Sequence, residues 1–370
     1  MASARETRCA ILEAGAALGF HRPRVARLEP LEREGFLERW LAEGRAGEMR
    51  YLDHHRKARI DPRSRYPWAR SVITAGFPYR PPALAPIDWR QALTGRIAAY
   101  ALGPDYHDVI AARLERWTRA IAELAPGVPI KSYVDTGPVL EHEWAAAAGV
   151  GWTGKHTLTL SEDAGSYYFL AELLLGIELE PDPPVPDRCG TCRRCIDLCP
   201  TAAIEPGYRL EPRRCISYWT IEHRGAIDPA MRPLLANWIF GCDICQIACP
   251  WNAAPVGVEP ALTPSLEATL GLDEASFALR YGQSAVRRTR RTGLARNAAV
   301  ALGNSGNPAA VPALGRALVG DPAPLVRSHA AWALGRLHDA AGAAARLALE
   351  PGLRDPDAEV RSEVVRALEG

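Results

Sequence analysis

The chain has 370 residues, 48% hydrophobic and 24% charged, the balance of a soluble globular protein with room for two or three domains. Its 44 lysines and arginines against 43 aspartates and glutamates leave a net charge of +1, so bulk charge does not mark a nucleic-acid binder. The longest apolar stretch, Tyr167 to Leu175, is interrupted by Glu172 and does not span a bilayer. The N-terminus carries no signal-peptide pattern, so a cytoplasmic protein with no membrane partner is expected.

Apolar residues at helical spacing predict a first helix over Ala2–Leu18, in which Cys9 reads as an ordinary buried thiol. Ser71–Phe77 reads as a strand, and the proline-rich stretch Pro78–Pro86 as a loop. Asp105-Tyr-His107-Asp-Val-Ile110 falls one residue short of D-x-H-x-x-G, a loop through which some cobalamin enzymes ligate cobalt. Its last position is Ile110 and it runs into a second predicted helix, His107–Leu124, so His107 is expected to be a hydrogen-bonded helix-start residue. Lys131–Asp135 reads as a strand ending in an aspartate before a turn. Position alone favours a capping or turn role for Asp135; the competing reading is a half-buried carboxyl with a raised pKa, suited to donating a proton.

Gly149-Val-Gly151-Trp-Thr-Gly154-Lys155-His156 resembles two phosphate loops and satisfies neither. It follows the helical Glu141–Ala148 where G-x-G-x-x-G should follow a strand, and His156 replaces the hydroxyl that a P-loop needs for magnesium. Its glycines are expected to allow close backbone approach to a bulky ligand. Tyr167–Leu170 reads as a strand and Glu180–Pro186 as a linker.

Eight of the nine cysteines lie between Cys189 and Cys249. Cys189, Cys192, Cys195 and Cys199-Pro200 follow the C-x2-C-x2-C-x3-C-P spacing of bacterial ferredoxins, in which the cysteine before proline ligates the other cluster. Cys242, Cys245 and Cys249-Pro250, with Cys215 upstream, supply the exchange partner. One [4Fe–4S] cluster is thus expected on Cys189, Cys192, Cys195 and Cys249, the other on Cys199, Cys215, Cys242 and Cys245. Structural zinc explains neither the third cysteine of the first run nor the two Cys-Pro pairs. Disulfides need an oxidising compartment.

Beyond the clusters, Arg287, Arg288, Arg290 and Arg291, followed by Arg296, form a local basic run; the bland reading is a solvated arginine face. Arg296–Gly303, Arg327–Gly335 and Arg361–Glu369 align with one another, and between them sit Asn307-Pro308 to Val311-Pro312, Asp321-Pro322 to Val326 and Asp355-Pro356 to Val360. That recurrence describes HEAT-like helix pairs, which bury their apolar faces only by stacking and present an extended surface to a large partner.

Taken together, Tyr133–Pro138, Ala148–Lys155, Gly165–Glu172, Cys215–Glu222, Phe240–Gln246 and Arg296-Asn-Ala resemble the epoxyqueuosine reductase family over nearly the whole chain. The resemblance implies an α/β (α+β) architecture. A nitroreductase-like cobalamin- and substrate-binding domain would cover 1–185, a ferredoxin-like domain with two [4Fe–4S] clusters 186–255, a connecting segment 256–285 and a tRNA-contacting HEAT-like domain 286–370. It implies reduction of epoxyqueuosine to queuosine at the tRNA wobble position, the last step of queuosine biosynthesis, by cob(I)alamin reduced through both clusters. Asp135 matches the family's proton donor. Arg59, Ala98, Asp135, Thr159, Leu170 and Ser217 match its cobalamin contacts, Arg59 on the loosest match. Arg224, Arg287, Arg288, Arg290, Arg291, Arg296 and Asn297 fall where the tRNA anticodon stem-loop is expected. A ferredoxin- or flavodoxin-type electron donor and a monomeric state complete the expectation. The alternatives are a corrinoid iron–sulfur reductive dehalogenase, for which an export signal is missing, and a ferredoxin-like carrier with a docking repeat.

Overall fold

A computed structural model of the chain describes residues 3–29, 34–79, 81, 87–252 and 259–369. Most of the expected Pro78–Pro86 loop and the expected boundary near residue 255 lie outside them. The chain packs into two compact units, one of Met1–Pro81, Asp105–Arg213 and Ile244–Ala254, the other of Pro82–Pro104, Arg214–Asp243 and Pro255–Gly370. This division departs from the linear order expected of the domains. Arg96–Ile97 joins the second unit because it pairs in parallel with Trp238–Phe240.

The first unit is built on a four-stranded antiparallel sheet of β1 (His21–Arg27), β2 (Ser71–Pro78), β3 (Ile130–Tyr133) and β4 (Tyr168–Leu175), in the order β1-β2-β4-β3. Successive side chains of a strand alternate faces, and both faces here are apolar. Ile73, Ala75, Ala171 and Leu173 meet α1 (Ala4–Ala17) and α2 (Tyr106–Leu124) through Ile11, Ile110, Leu114 and Trp117. Val72, Leu170 and Leu174 meet Trp144 and Ala145 of α3 (Glu141–Ala147). Thr74 and Glu172 are cross-strand partners sharing the parity of Val72 and Leu170, so they enter that second apolar layer, both fully buried.

Two expectations change here. The strand expected over Tyr167–Leu170 runs on to Leu175, because Glu172 is taken into the core instead of ending the strand. Cys9 is exposed on α1, not buried. Helix starts follow their caps: Ser3 and Glu6 form a reciprocal capping box on α1, and Asp105 caps α2.

The second unit contains the repeat helices α4 (Arg290–Ser305), α5 (Val311–Gly320), α6 (Pro324–Arg336), α7 (Ala343–Leu349) and α8 (Ala358–Glu369). Each Asp-Pro turn receives an arginine from another repeat: Arg291 pairs with Asp321 and Arg327 with Asp355, both at 2.7 Å and both buried. Arg327 and Arg361 also donate to the carbonyls of Asp321 and Asp355, at 2.9 and 2.6 Å. The repeat arginines therefore tie one turn to the next. No helix among the described residues is long and apolar enough to cross a membrane.

Candidate active site

Where β3 ends, the chain turns sharply around Asp135. Thr136 N–H closes on the Val134 carbonyl, and Asp135 sits in the left-handed region at φ +53°. Its Oδ2 accepts hydrogen bonds from the Tyr106 hydroxyl at 2.7 Å and from His107 Nε2 at 3.0 Å. Tyr106 is stacked between Phe169 and His107, with ring centroids 4.1 and 4.0 Å away. His107 Nδ1 meets Asp105 Oδ1 at 2.6 Å, and Asp105 is buried by its capping role. Bonding to Asp135 first, and then to Asp105, raises the imidazole pKa against the opposing effect of burial. Both ring nitrogens of His107 are thus occupied, as befits a hydrogen-bonded helix-start residue and not an axial metal ligand. The Asp135 side chain itself is 54% exposed. Asp135 is thus a partly exposed acid bonded to Tyr106 and His107.

Desolvated carboxyls do occur beside it, at positions the sequence did not single out. Glu172, in the middle of β4, and Glu141, at the start of α3, bury their carboxyls in the core, and each carboxyl neighbours the other. Burial pushes Glu141 up to about 8, the Asp135 charge adds to this, and its carboxylate is steadied by the Asp135 backbone N–H. Burial and Glu141 raise Glu172 well above the ordinary carboxylate range. Two like charges that close cannot both ionise, so the pair retains a proton at neutral pH.

Among the expected corrin contacts in this unit, Arg59 donates to the carbonyls of Tyr51, His54 and Gly137 and so braces the Asp135 loop. Thr159 is buried, its hydroxyl 2.7 Å from His142 Nδ1. Leu170 lies in the core and its backbone faces Gly76 across the ladder. Ala98 and Ser217 belong to the second unit. A corrin held here would meet the Arg59 guanidinium, the Thr159 hydroxyl and the apolar Leu170, beside an Asp135 carboxyl that keeps exposed surface.

Cys189, Cys192, Cys195 and Cys249 line one cavity of about 330 Å³, together with Lys155, His156, Pro250 and Trp251. Several anchors bring the distant Cys249 there. Asn252 accepts from Ser166 N–H at 2.6 Å and donates to the Gln246 carbonyl at 2.7 Å, and Trp251 packs edge-on against Trp152. Burial, then the neighbouring Cys249, Cys189 and Cys192, push the Cys195 thiol up to about 11. Among the described residues no three such groups stand at the spacing of a single ion. A ring of four thiols around a cavity this size suits the wider span of a cubane better than the 2.3 Å Zn–S shell of one zinc ion. Of the other expected set, Cys199 and Cys245 fall in the first unit, Cys215 and Cys242 in the second. The glycines of the 149–156 segment lie close against their own chain. A Cβ on Gly151 would lie 2.0 Å from the Leu160 carbonyl oxygen.

The basic run divides. Arg287, Arg288 and Arg290 are exposed, as is Arg224, and Arg288 pairs with Glu222 at 2.7 Å. Arg291, Arg296 and Asn297 are buried, which corrects their expected contact with RNA. Arg291 is spent on Asp321. Arg296 donates to the carbonyls of Trp219, His223 and Gly225 and to Asn297, and Asn297 to those of Thr220 and Ile239.

Comparison with known proteins matches residues 188–252 to a 4Fe–4S double cluster binding domain, 59–136 to the epoxyqueuosine reductase QueG model and 284–369 to HEAT repeats. The epoxyqueuosine reductase of Alicycliphilus denitrificans is 41% identical over 86% of this chain and 94% of its own. That of Pseudomonas aeruginosa is 42% identical over 87% of this chain and 92% of its own. A crystal structure of an epoxyqueuosine reductase with an epoxyqueuosine-modified tRNA-Tyr stem loop superposes with a TM-score of 0.88 at 27% identity, covering 99% of each chain. With relatives this similar along most of its length, the chain belongs to the epoxyqueuosine reductase family and is an oxidoreductase.

Proposed function

We propose that this chain reduces epoxyqueuosine to queuosine at the wobble position of tRNA, the last step of queuosine biosynthesis, in the cytoplasm. The observation that carries the reading is the Asp135 loop. An exposed carboxyl is aimed by Tyr106 and His107 and braced by Arg59, on a chain whose relatives bear that activity in their names. Removing the epoxide oxygen as water consumes two electrons and two protons.

Bound cobalamin would supply the low-potential nucleophilic reductant, recharged through two [4Fe–4S] clusters by a ferredoxin- or flavodoxin-type donor. Asp135 would deliver a proton to the departing oxygen, and His107, hydrogen-bonded to the same Oδ2, holds its orientation. Arg59, Thr159 and Leu170, with Ala98 and Ser217, would surround a corrin in a nitroreductase-like domain over 1–185. Cys189, Cys192, Cys195 and Cys249 would hold one cluster and Cys199, Cys215, Cys242 and Cys245 the other, within 186–255. The exposed Arg224, Arg287, Arg288 and Arg290 would meet the phosphates of an anticodon stem-loop, and the chain would act as a monomer. Anaerobic assay on epoxyqueuosine-containing tRNA, with and without cobalamin, tests the proposal. Asp135→Asn should keep both clusters and bind cobalamin yet leave epoxyqueuosine unconverted. Turnover like that of the unmodified enzyme would remove Asp135 from the proton-donor role.

A further inference from the structure

The Gly149–His156 segment has no part in the reading above, yet two of its side chains line the cavity ringed by four cysteines. His156 is 4% exposed. The Leu158 backbone N–H donates to its Nδ1 at 3.1 Å, so Nδ1 carries the lone pair and the imidazole proton sits on Nε2. Burial, reinforced by His142, lowers the His156 pKa to about 4, which keeps the ring neutral at physiological pH. Nε2–H is buried and, among the described residues, has no acceptor. Buried donors of this kind are rare and call for a partner that the protein itself does not supply.

The neighbouring geometry is built around that ring. A Cβ on Gly154 would lie 2.7 Å from His156 Cε1, so only glycine admits the imidazole in this position. Lys155 reaches into the same cavity wall, its Nζ donating to the carbonyls of Gly190 at 2.6 Å and Cys192 at 2.8 Å. A fixed cation and an unclaimed N–H thus converge where the sulfurs of a cluster would lie.

We propose that His156 donates its Nε2–H to a sulfur of the cluster held by Cys189, Cys192, Cys195 and Cys249, and that His156 and Lys155 together raise that cluster's reduction potential. The inference rests on the reading that this cavity holds a [4Fe–4S] cluster. Its physical basis is that reduction adds one negative charge to the cluster. A hydrogen-bond donor and a nearby cation stabilise the reduced form more than the oxidised form.

The test is an EPR-monitored redox titration of the full chain, reconstituted anaerobically, with potentials assigned to each cluster. His156→Phe and Lys155→Met should each lower the potential of one cluster and leave the other unchanged. The expected change in that cluster's reduction equilibrium is about tenfold, about 59 mV for one electron. His156→Gln, which keeps an N–H donor, should restore most of the loss. In the unsubstituted protein, pulsed EPR of the reduced cluster should show a ¹⁴N coupling and an exchangeable proton, both lost in His156→Phe. A loaded His156→Phe cluster with unchanged potential would overturn the proposal, as would absence of nitrogen coupling in the unsubstituted protein. If His156→Phe does not load, the Lys155→Met potential and the pulsed spectrum of the unsubstituted protein decide. Cys249→Ala, which leaves no ligating atom, separates the two levels. Retention of both clusters in that variant defeats the cavity reading itself, whereas loss of one cluster with an unmoved His156→Phe potential defeats only the hydrogen bond.

Discussion

Replacing Arg296 by methionine should damage folding and spare RNA binding. Arg296 is fully buried, and among the described residues its guanidinium donates three hydrogen bonds to backbone carbonyls and two to Asn297. Methionine fills much of the same volume but leaves the carbonyls of Trp219, His223 and Gly225 without this donor. Each abandoned buried acceptor costs about 1–3 kcal/mol. Part of that is offset because a cation no longer has to be desolvated, leaving a net loss of ~3–5 kcal/mol. For a unit of this size that corresponds to a fall in melting temperature on the order of 10 °C. The assay pairs anaerobic thermal unfolding with tRNA-stem-loop binding at several salt concentrations. A phosphate contact reports itself as a decrease of roughly 1 in the slope of log K against log salt, and Arg296→Met should show none. An unchanged melting temperature with a shallower salt slope would refute the reasoning, because the guanidinium would then have to leave its carbonyl cage to reach RNA.

Charge reversal at the exposed Arg287 and Arg290 should do the opposite, weakening stem-loop binding and reducing the salt slope by roughly 1 per residue with little change in melting. Cys249→Ala should lower iron from about eight to about four atoms per reconstituted chain, measured by iron and sulfide analysis. The Glu141–Glu172 pair makes stability pH-dependent in a defined direction. In the unfolded chain both acids ionise near pH 4, whereas burial holds Glu141 up to about 8 and Glu172 also above its ordinary range. Their contribution is therefore complete below about pH 4 and is lost as pH rises towards about 8. Glu172→Gln should flatten the decline in denaturation midpoint between those values, and an unaltered slope would show that the two carboxyls do not compete for a proton.

The long helices α1 and α2 and the first cysteine ring were readable from sequence because each depends on local periodicity or fixed spacing. Even the distant fourth thiol was accessible, since the two Cys-Pro pairs imply an exchange. The edge strand β1 was not. Pro23 and three arginines obscure His21–Arg27, whose ladder is irregular between His21 and Arg24. Glu172 looked like an interruption because nothing in the sequence says that Glu141 will sit against it. Arg296 and Asn297 stood in a basic run that reads as solvated, and only the tertiary fold surrounds them with backbone carbonyls. The glycines at 149–154 signalled close approach correctly but could not say to what. Asp135 was found by resemblance, while its partners Tyr106 and His107 come from a helix start 28 residues or more upstream in sequence.

The cavity that gathers Cys249 with Cys189, Cys192 and Cys195 also has a topological consequence. Closing that ring encloses the whole stretch from residue 195 to residue 249, and Cys199, Cys215, Cys242 and Cys245 all lie inside it. A cross-link spanning a loop of that length removes about 4 kcal/mol of chain entropy from the unfolded state. A cluster held by these four cysteines would therefore be a staple as well as a redox centre, and the enclosed set would depend on it for its own mooring. Oxidative damage would then be hierarchical: dismantling the inner set leaves the outer clasp shut, whereas opening the clasp releases the chain that carries both.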